Sequence, residues 1–180
     1  LLRMLIGAIH KSRVGHGQAH IFDGNILEAS CGTGTVIRSI VDLMKETDPE
    51  RLESIIFTAN DLSSGMQLQA RVKLADVDGV YTQNDLRGLE IERQHVIILS
   101  QTLHLIADPE RLEKERNGEE QITDHRQVKT EVIKNLFAQL EDNGFFILID
   151  EWPAKLSRNR CTLEPDIEAA FEEQFRPIDS

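Results

Sequence analysis

Two short runs constrain this chain more than anything else in it: His95–Leu99 (HVIIL) and Phe145–Ile149 (FFILI). Each is apolar through its middle, without the polar alternation of a half-exposed strand, and each is too short for an ordinary helix. Runs of this kind are strands covered on both faces, the condition of a parallel sheet held between helical layers. The rest of the sequence supplies the other parts. Asn25–Ala29 reads as a short buried strand after the Asp23-Gly24 turn, Ser54–Asn60 (SIIFTAN) as a β-branched one and Val80–Gln83 as a brief one.

Between the strands the period changes to that of helices. Val36, Ile40 and Met44 recur every fourth residue in Thr35–Glu46, flanked by Ile37 and Val41. Ser63–Ala75 places Met66, Ala70 and Leu74 on one face, with Ser63 as a candidate cap. Asp124–Glu141 carries the stripe Val128, Val132, Leu136 and Leu140, with Asn143-Gly144 as its stop. Charged Asp108–Arg116, Glu164–Phe175 and, at the start, residues 1–13 also read as helices, and Val14–His20 as a loop. No repeat or low-complexity linker divides the 180 residues, so they are read as one domain: an N-terminal helix and loop over 1–22, a core over 25–153 and a C-terminal helix over 154–180. Strands alternating with helices imply an α/β, Rossmann-like, doubly wound and mostly parallel sheet. In such sheets ligands sit at the carboxyl ends of the strands.

The strand ends are polar and small. The first strand runs into Glu28-Ala29-Ser30-Cys31-Gly32-Thr33-Gly34-Thr35, where small residues admit a ligand to the backbone and a helix N-terminus offers N–H groups. The same run also serves as a plain tight turn. After the second strand stands Asp61, which either accepts from a ribose diol or caps the helix near Ser63. After the third, Asp85 either meets an adenine amino group or is a solvated turn residue. After the fourth come Ser100, Gln101 and His104, the last either a half-buried structural histidine or a base.

Taken in order, these segments resemble class I S-adenosylmethionine-dependent methyltransferases, in the branch that acts on quinones and secondary metabolites. ILEASCGTGT is similar to their first motif, FTANDLSSGM to the acidic segment after strand 2, and TQNDL to the adenine-side segment. IILSQTLHLIADPERL resembles the segment after strand 4, and LEDNGFFILIDEWP the block around strand 5. The resemblance implies S-adenosyl-L-methionine as cofactor, a small-molecule acceptor, and roles for single residues. Gly32 and Gly34 would admit the methionyl end, and Glu28 would anchor the loop or the ammonium. Asp61 would hold the ribose, with Leu62 beside it and Met66 against the adenine. Asp85 and Leu86 would hold the adenine, and Ser100 and Gln101 would border the methionyl arm. Where the acceptor must lose a proton, His104 is the candidate base, followed by Glu151. Ser30 departs from the family's usual Gly, which touches the methionine-end contacts, and residues 110–127 form a longer connection than the family's, a lid or a solvated insertion.

The resemblance further implies the strand order 3-2-1-4-5-7-6, of which only the first five strands are legible. Strand 5 would then be an open apolar edge. The expectation is a fragment of a longer protein, or self-association or a missing segment that covers that strand.

Other classes fit less well. A nicotinamide-dependent oxidoreductase wants a third Gly where Ile37 stands, and a carboxylate about 20 residues on; Asp61 lies 27 past Gly34. A P-loop Gly-Lys-Ser/Thr is absent. Base methylation in nucleic acid would want an Asn-Pro-Pro-aromatic run where Ser100–Leu103 stands. A net charge of −11 and 5% aromatic residues give no footprint for nucleic acid. A non-catalytic binding module with the same fold remains the alternative of a different class. Cys31 and Cys161 form no CxxC, so neither a disulfide framework nor a zinc site is expected. Leu1–Ile9 is too short to span a bilayer, and a cytoplasmic setting is expected.

Overall fold

The structure, a computed structural model, describes residues 21–106, 117 and 126–149. The helices expected over 1–13, 108–116 and 164–175, the loop over 14–20, and the residues Glu151 and Cys161 lie outside the described residues, as do the side chains of His104 and Arg126.

Five strands form one sheet: β1 (Asn25–Glu28), β2 (Ile56–Asn60), β3 (Gly79–Thr82), β4 (Gln94–Ser100) and β5 (Leu140–Ile149). Their order is β3-β2-β1-β4-β5 and every pairing is parallel, as the reading of the sequence expects. Four α-helices are described: α1 (Thr35–Thr47), α2 (Pro49–Leu52), α3 (Ser64–Lys73) and α4 (Arg126–Ala138). The short α2 is absent from the sequence reading. Its signal is Asp48-Pro49: Asp48 accepts from the Arg51 N–H, and Pro49 stands where no amide donor is needed.

The unbroken apolar runs are explained by the two cores. Ile26, Phe57, Ala59, Val96 and Ile98 face α1 and α3, among Val36, Ile37, Ile40, Met44, Ala70 and Leu74. Their neighbours along the strands, Leu27, Ala29, Ile97 and Leu99, face α4, among Val132, Ile133, Leu136 and Phe137. Alternate residues of β1 and β4 therefore enter different cores, and neither face reaches water. Burying each such side chain contributes roughly 1.5–3 kcal/mol. No helix among the described residues is long and apolar enough to cross a membrane.

Two expectations are corrected. The helix expected to run to Glu141, with Asn143-Gly144 as its stop, ends at Ala138. Gln139 instead turns the chain, and its carbonyl accepts the Gln94 N–H at 2.8 Å. Leu140, counted as the last member of the helical stripe, is buried as a strand residue opposite Gln94. Register then shifts, because Val96 pairs with Phe145. Gly144 is the residue that lets this bulge close: a Cβ there would lie 2.9 Å from the His95 carbonyl oxygen and 2.9 Å from Leu140 Cγ. In α3, the face expected to carry Met66, Ala70 and Leu74 is shifted by one residue at its start. Gln67 is buried with Ala70, and Met66 is 40% exposed. Ser63 does cap α3, accepting from the Met66 N–H.

Gly144→Ala should therefore destabilise the fold by about 1–3 kcal/mol, the cost of overpacking. Gly88→Ala, where a Cβ meets nothing within 4 Å, should stay within about 0.5 kcal/mol of the parent. Urea denaturation of the two variants checks both values.

Candidate functional site

The carboxyl ends of β1, β2 and β4 open onto a crevice of about 630 Å³. Its walls bring together Glu28, Ser30, Gly32, Asp61, Met66, Ser100 and Gln101, seven of the residues singled out in the sequence. A second cavity of about 260 Å³ is walled by Leu62, Asp85 and Leu86, and shares Ser30, Thr102 and Leu105 with the first. Gly34 lines neither. His104 is the middle residue of the 3-10 turn Leu103–Leu105, directly after β4.

The two glycines do different work. Both have positive φ, +50° at Gly32 and +75° at Gly34, a region that disfavours any side chain. A Cβ on Gly32 would meet nothing within 4 Å, so this backbone lies bare to the crevice. A Cβ on Gly34 would lie 2.8 Å from Leu74 Cδ1, so this glycine lets α1 start tight against α3.

Asp61 clasps the loops after β1 and β2. One carboxylate oxygen accepts the Gly32 N–H at 2.8 Å and the other accepts the Ser63 N–H at 2.9 Å. The cap of α3 is Ser63 and not Asp61, whose bond to the Ser63 N–H closes a turn just ahead of the helix, together with a second bond across to the glycine loop. Each oxygen keeps one further lone pair for a ligand.

Glu28 is 1% exposed and accepts the Ile37 N–H at 3.2 Å. Burial pushes its pKa up to about 8 against the pull of that N–H, and the charge of Asp61 adds to the rise. At neutral pH it is a neutral carboxyl group. Burial, with Glu28 and Asp61 nearby, likewise pushes the Cys31 thiol up to about 12, so it is no nucleophile there. Asp85 is engaged by Arg87, whose backbone N–H and guanidinium both donate to it and hold its pKa below the usual carboxylate range.

Two side-chain amides that sequence reasoning missed fix the crevice floor. Asn60, 1% exposed, donates to the carbonyls of Ala29 (2.9 Å) and Asn84 (3.0 Å) and accepts from Thr82 Oγ1 and the Asn84 N–H, both at 2.9 Å. Gln67 donates to the carbonyls of Ala59 and Thr82. The available signal for Asn60 was an amide closing an apolar strand; for Gln67 it was an amide three residues before Ala70 on a helix. At the crevice mouth, Gln101 has a φ of +50°, the only positive value at a non-glycine residue among the described residues. The described residues contain no cluster of His, Cys, Asp and Glu able to hold a metal ion.

Several solved structures share this fold. One is the S-adenosylmethionine-bound amino pentose methyltransferase from Micromonospora echinaspora involved in calicheamicin biosynthesis; at 14% identity it matches 84% of this chain and 52% of its own, with a TM-score of 0.56. Another is the N-methyltransferase NodS of Bradyrhizobium japonicum in complex with S-adenosyl-L-homocysteine, at 13% identity, 81% of this chain and 58% of its own, with a TM-score of 0.54. A third is the sugar N-methyltransferase from a Streptoalloteichus species, at 14%, 83% and 47%, with a TM-score of 0.54. The chain has the fold of class I S-adenosylmethionine-dependent methyltransferases and spans about half the length of these structures. No protein-family profile and no curated protein sequence matches it.

Glu28 makes stability depend on pH with a definite sign. Its ordinary pKa is 4.5 and its folded one about 8, so between them the folded state holds one proton more than the unfolded. Stability therefore falls as pH rises through that window, by at most ~1.4 kcal/mol per pH unit, and levels off above it. Glu28→Gln keeps an oxygen for the Ile37 N–H and removes the titration. Urea unfolding at pH of about 5 and about 8 should show a smaller loss for the variant; parallel losses would mean that Glu28 titrates alike in both states.

Proposed function

We propose that the crevice binds S-adenosylmethionine and that the protein transfers the cofactor's methyl group to a small-molecule acceptor. The observation that carries this reading is the meeting of Gly32 and Asp61, N–H to carboxylate at 2.8 Å, on the wall of a 630 Å³ crevice at the carboxyl ends of a β3-β2-β1-β4-β5 sheet. The cavity has the size of a small-molecule site, and the adjoining 260 Å³ space beside Leu62, Asp85 and Leu86 suits an adenine ring. Asp61 accepts the ribose hydroxyls with its remaining lone pairs, Met66 packs at the adenine side, and bare Gly32 admits the methionyl arm past Ser30, Ser100 and Gln101. The neighbours of this fold include an amino pentose methyltransferase and a sugar N-methyltransferase, which supports a small acceptor.

When bound, the cofactor supplies a methyl group on a sulfonium, already a good leaving group. The work of this chain is then to hold the two reactants in line and exclude water. Val36, Leu105 and Ile149 give the crevice an apolar side, and Ser100, Gln101 and Thr102 a neutral polar one. His104, following β4, is the proposed base for acceptors that must lose a proton. A dinucleotide fits less well: Glu28 already occupies the Ile37 N–H at the start of α1, where a pyrophosphate would need that donor and would face a buried carboxyl group.

Asp61→Ala should weaken S-adenosylmethionine binding by about 1.5–3 kcal/mol, the worth of hydrogen bonds to a charged group. Titration calorimetry measures it, beside a thermal melt. A variant with a lowered melting temperature and unchanged affinity would leave Asp61 as a clasp for the loops only. Binding without turnover on any acceptor would favour the non-catalytic module.

A further inference from the structure

Among the described residues, most cations in ion pairs answer to an aspartate: Arg38 and Lys45 pair with Asp76, Arg51 with Asp23 and Asp48, Arg87 with Asp85, and Arg93 with Asp142. Lys73, the last residue of α3, pairs with no carboxylate among the described residues. Its ammonium donates to two hydroxyls, Thr33 Oγ1 at 2.9 Å and Thr35 Oγ1 at 2.8 Å. Both threonines line the large crevice.

Counting protons shows what this arrangement presents. An ammonium only donates, so both hydroxyl oxygens are acceptors toward Lys73. The two hydroxyls lie 3.1 Å apart, and one proton serves the bond between them. The other hydroxyl proton is left over. The first turn of α1 adds more donors. Glu28 takes the Ile37 N–H and the Gly34 carbonyl takes that of Arg38, while the N–H groups of Thr35 and Val36 have no partner among the described residues. This corner of the crevice therefore offers one positive charge, one spare hydroxyl proton and two amide donors, and among the described residues no carboxylate forms an ion pair with that charge. The Asp61 carboxylate is turned to the N–H groups of Gly32 and Ser63.

We infer that Lys73 is a positioning residue which, through Thr33 and Thr35, selects and orients the α-carboxylate at the amino-acid end of the cofactor. The inference rests on the proposed reading of the crevice. S-adenosylmethionine and its product S-adenosylhomocysteine each carry a single anionic group, that carboxylate. The nucleoside 5′-methylthioadenosine has the same adenine, ribose and sulfur and lacks the amino-acid end. Lys73 thus separates ligands that share a nucleoside and differ in the carboxylate.

Calorimetry with S-adenosylhomocysteine and with 5′-methylthioadenosine tests it on the full chain, for the parent, Lys73→Met and Lys73→Arg. Lys73→Met should weaken S-adenosylhomocysteine about ten-fold and leave methylthioadenosine within about two-fold. Lys73→Arg should recover most of the loss, and the ten-fold gap should narrow in high salt. Thermal melts establish that both variants fold. Equal loss for the two ligands, or no loss for either, would overturn the role of Lys73. A parent protein that binds methylthioadenosine but not S-adenosylhomocysteine would overturn it too, while one that binds neither would overturn the reading of the crevice itself.

Discussion

The carboxamide of Asn60 holds the site together. Parallel strands end side by side, and their last carbonyls and amides diverge into loops where no ladder can satisfy them. Asn60 is buried at that point and uses both its donors and two acceptor sites, on Ala29, Thr82 and Asn84. One side chain thereby ties together the ends of three strands. Leaving any of those groups unpaired would cost about 1–3 kcal/mol. The neighbouring Asp61 then reaches across to Gly32, and the crevice wall follows from that tie.

Above this floor the electrostatics divide the crevice. Glu28 lies deep enough that burial lifts its pKa to about 8, while the Asp61 carboxylate is turned to the N–H groups of Gly32 and Ser63. The two acids thus differ in surroundings: one faces the core and the other the loops. The Cys31 thiol, raised by burial and then by both acids, remains inert. What is left to meet a ligand is a set of directed donors and one engaged carboxylate, which suits a zwitterionic cofactor better than a polyanion.

Much of this was legible in the sequence for a physical reason. HVIIL and FFILI carry no alternation because alternate residues enter different cores, and that fact alone gives the layered sheet. Positive φ at Gly32 and Gly34 was legible because few residues but glycine tolerate it. The end of α4 was not. Leu140 satisfies a helical spacing and a strand position equally, and only the Gln94–Gln139 hydrogen bond decides between them. Nor could periodicity find Gln67 or Lys73. An amide buried for its hydrogen bonds, or a lysine held by two threonines some forty residues away in sequence, follows no period, so Met66 was placed in the core face where Gln67 stands.

The order of the sheet also sets how the chain can fold. Strands β1, β2 and β3, with α1 and α3, are consecutive in sequence and share one core, so that half can condense through pairings of neighbouring strands. Strand β4 must come back to β1, closing a loop around everything between Ile26 and Val96. Loop entropy opposes that step, and both cores reward it, Val96 and Ile98 entering the first and Ile97 and Leu99 the second. The crevice takes residues from both sides of this closure, with Glu28, Gly32 and Asp61 on the early side and Ser100 and Gln101 on the late one. It therefore exists only once β4 lies against β1, and a chain in which that long loop is still open has no site to offer.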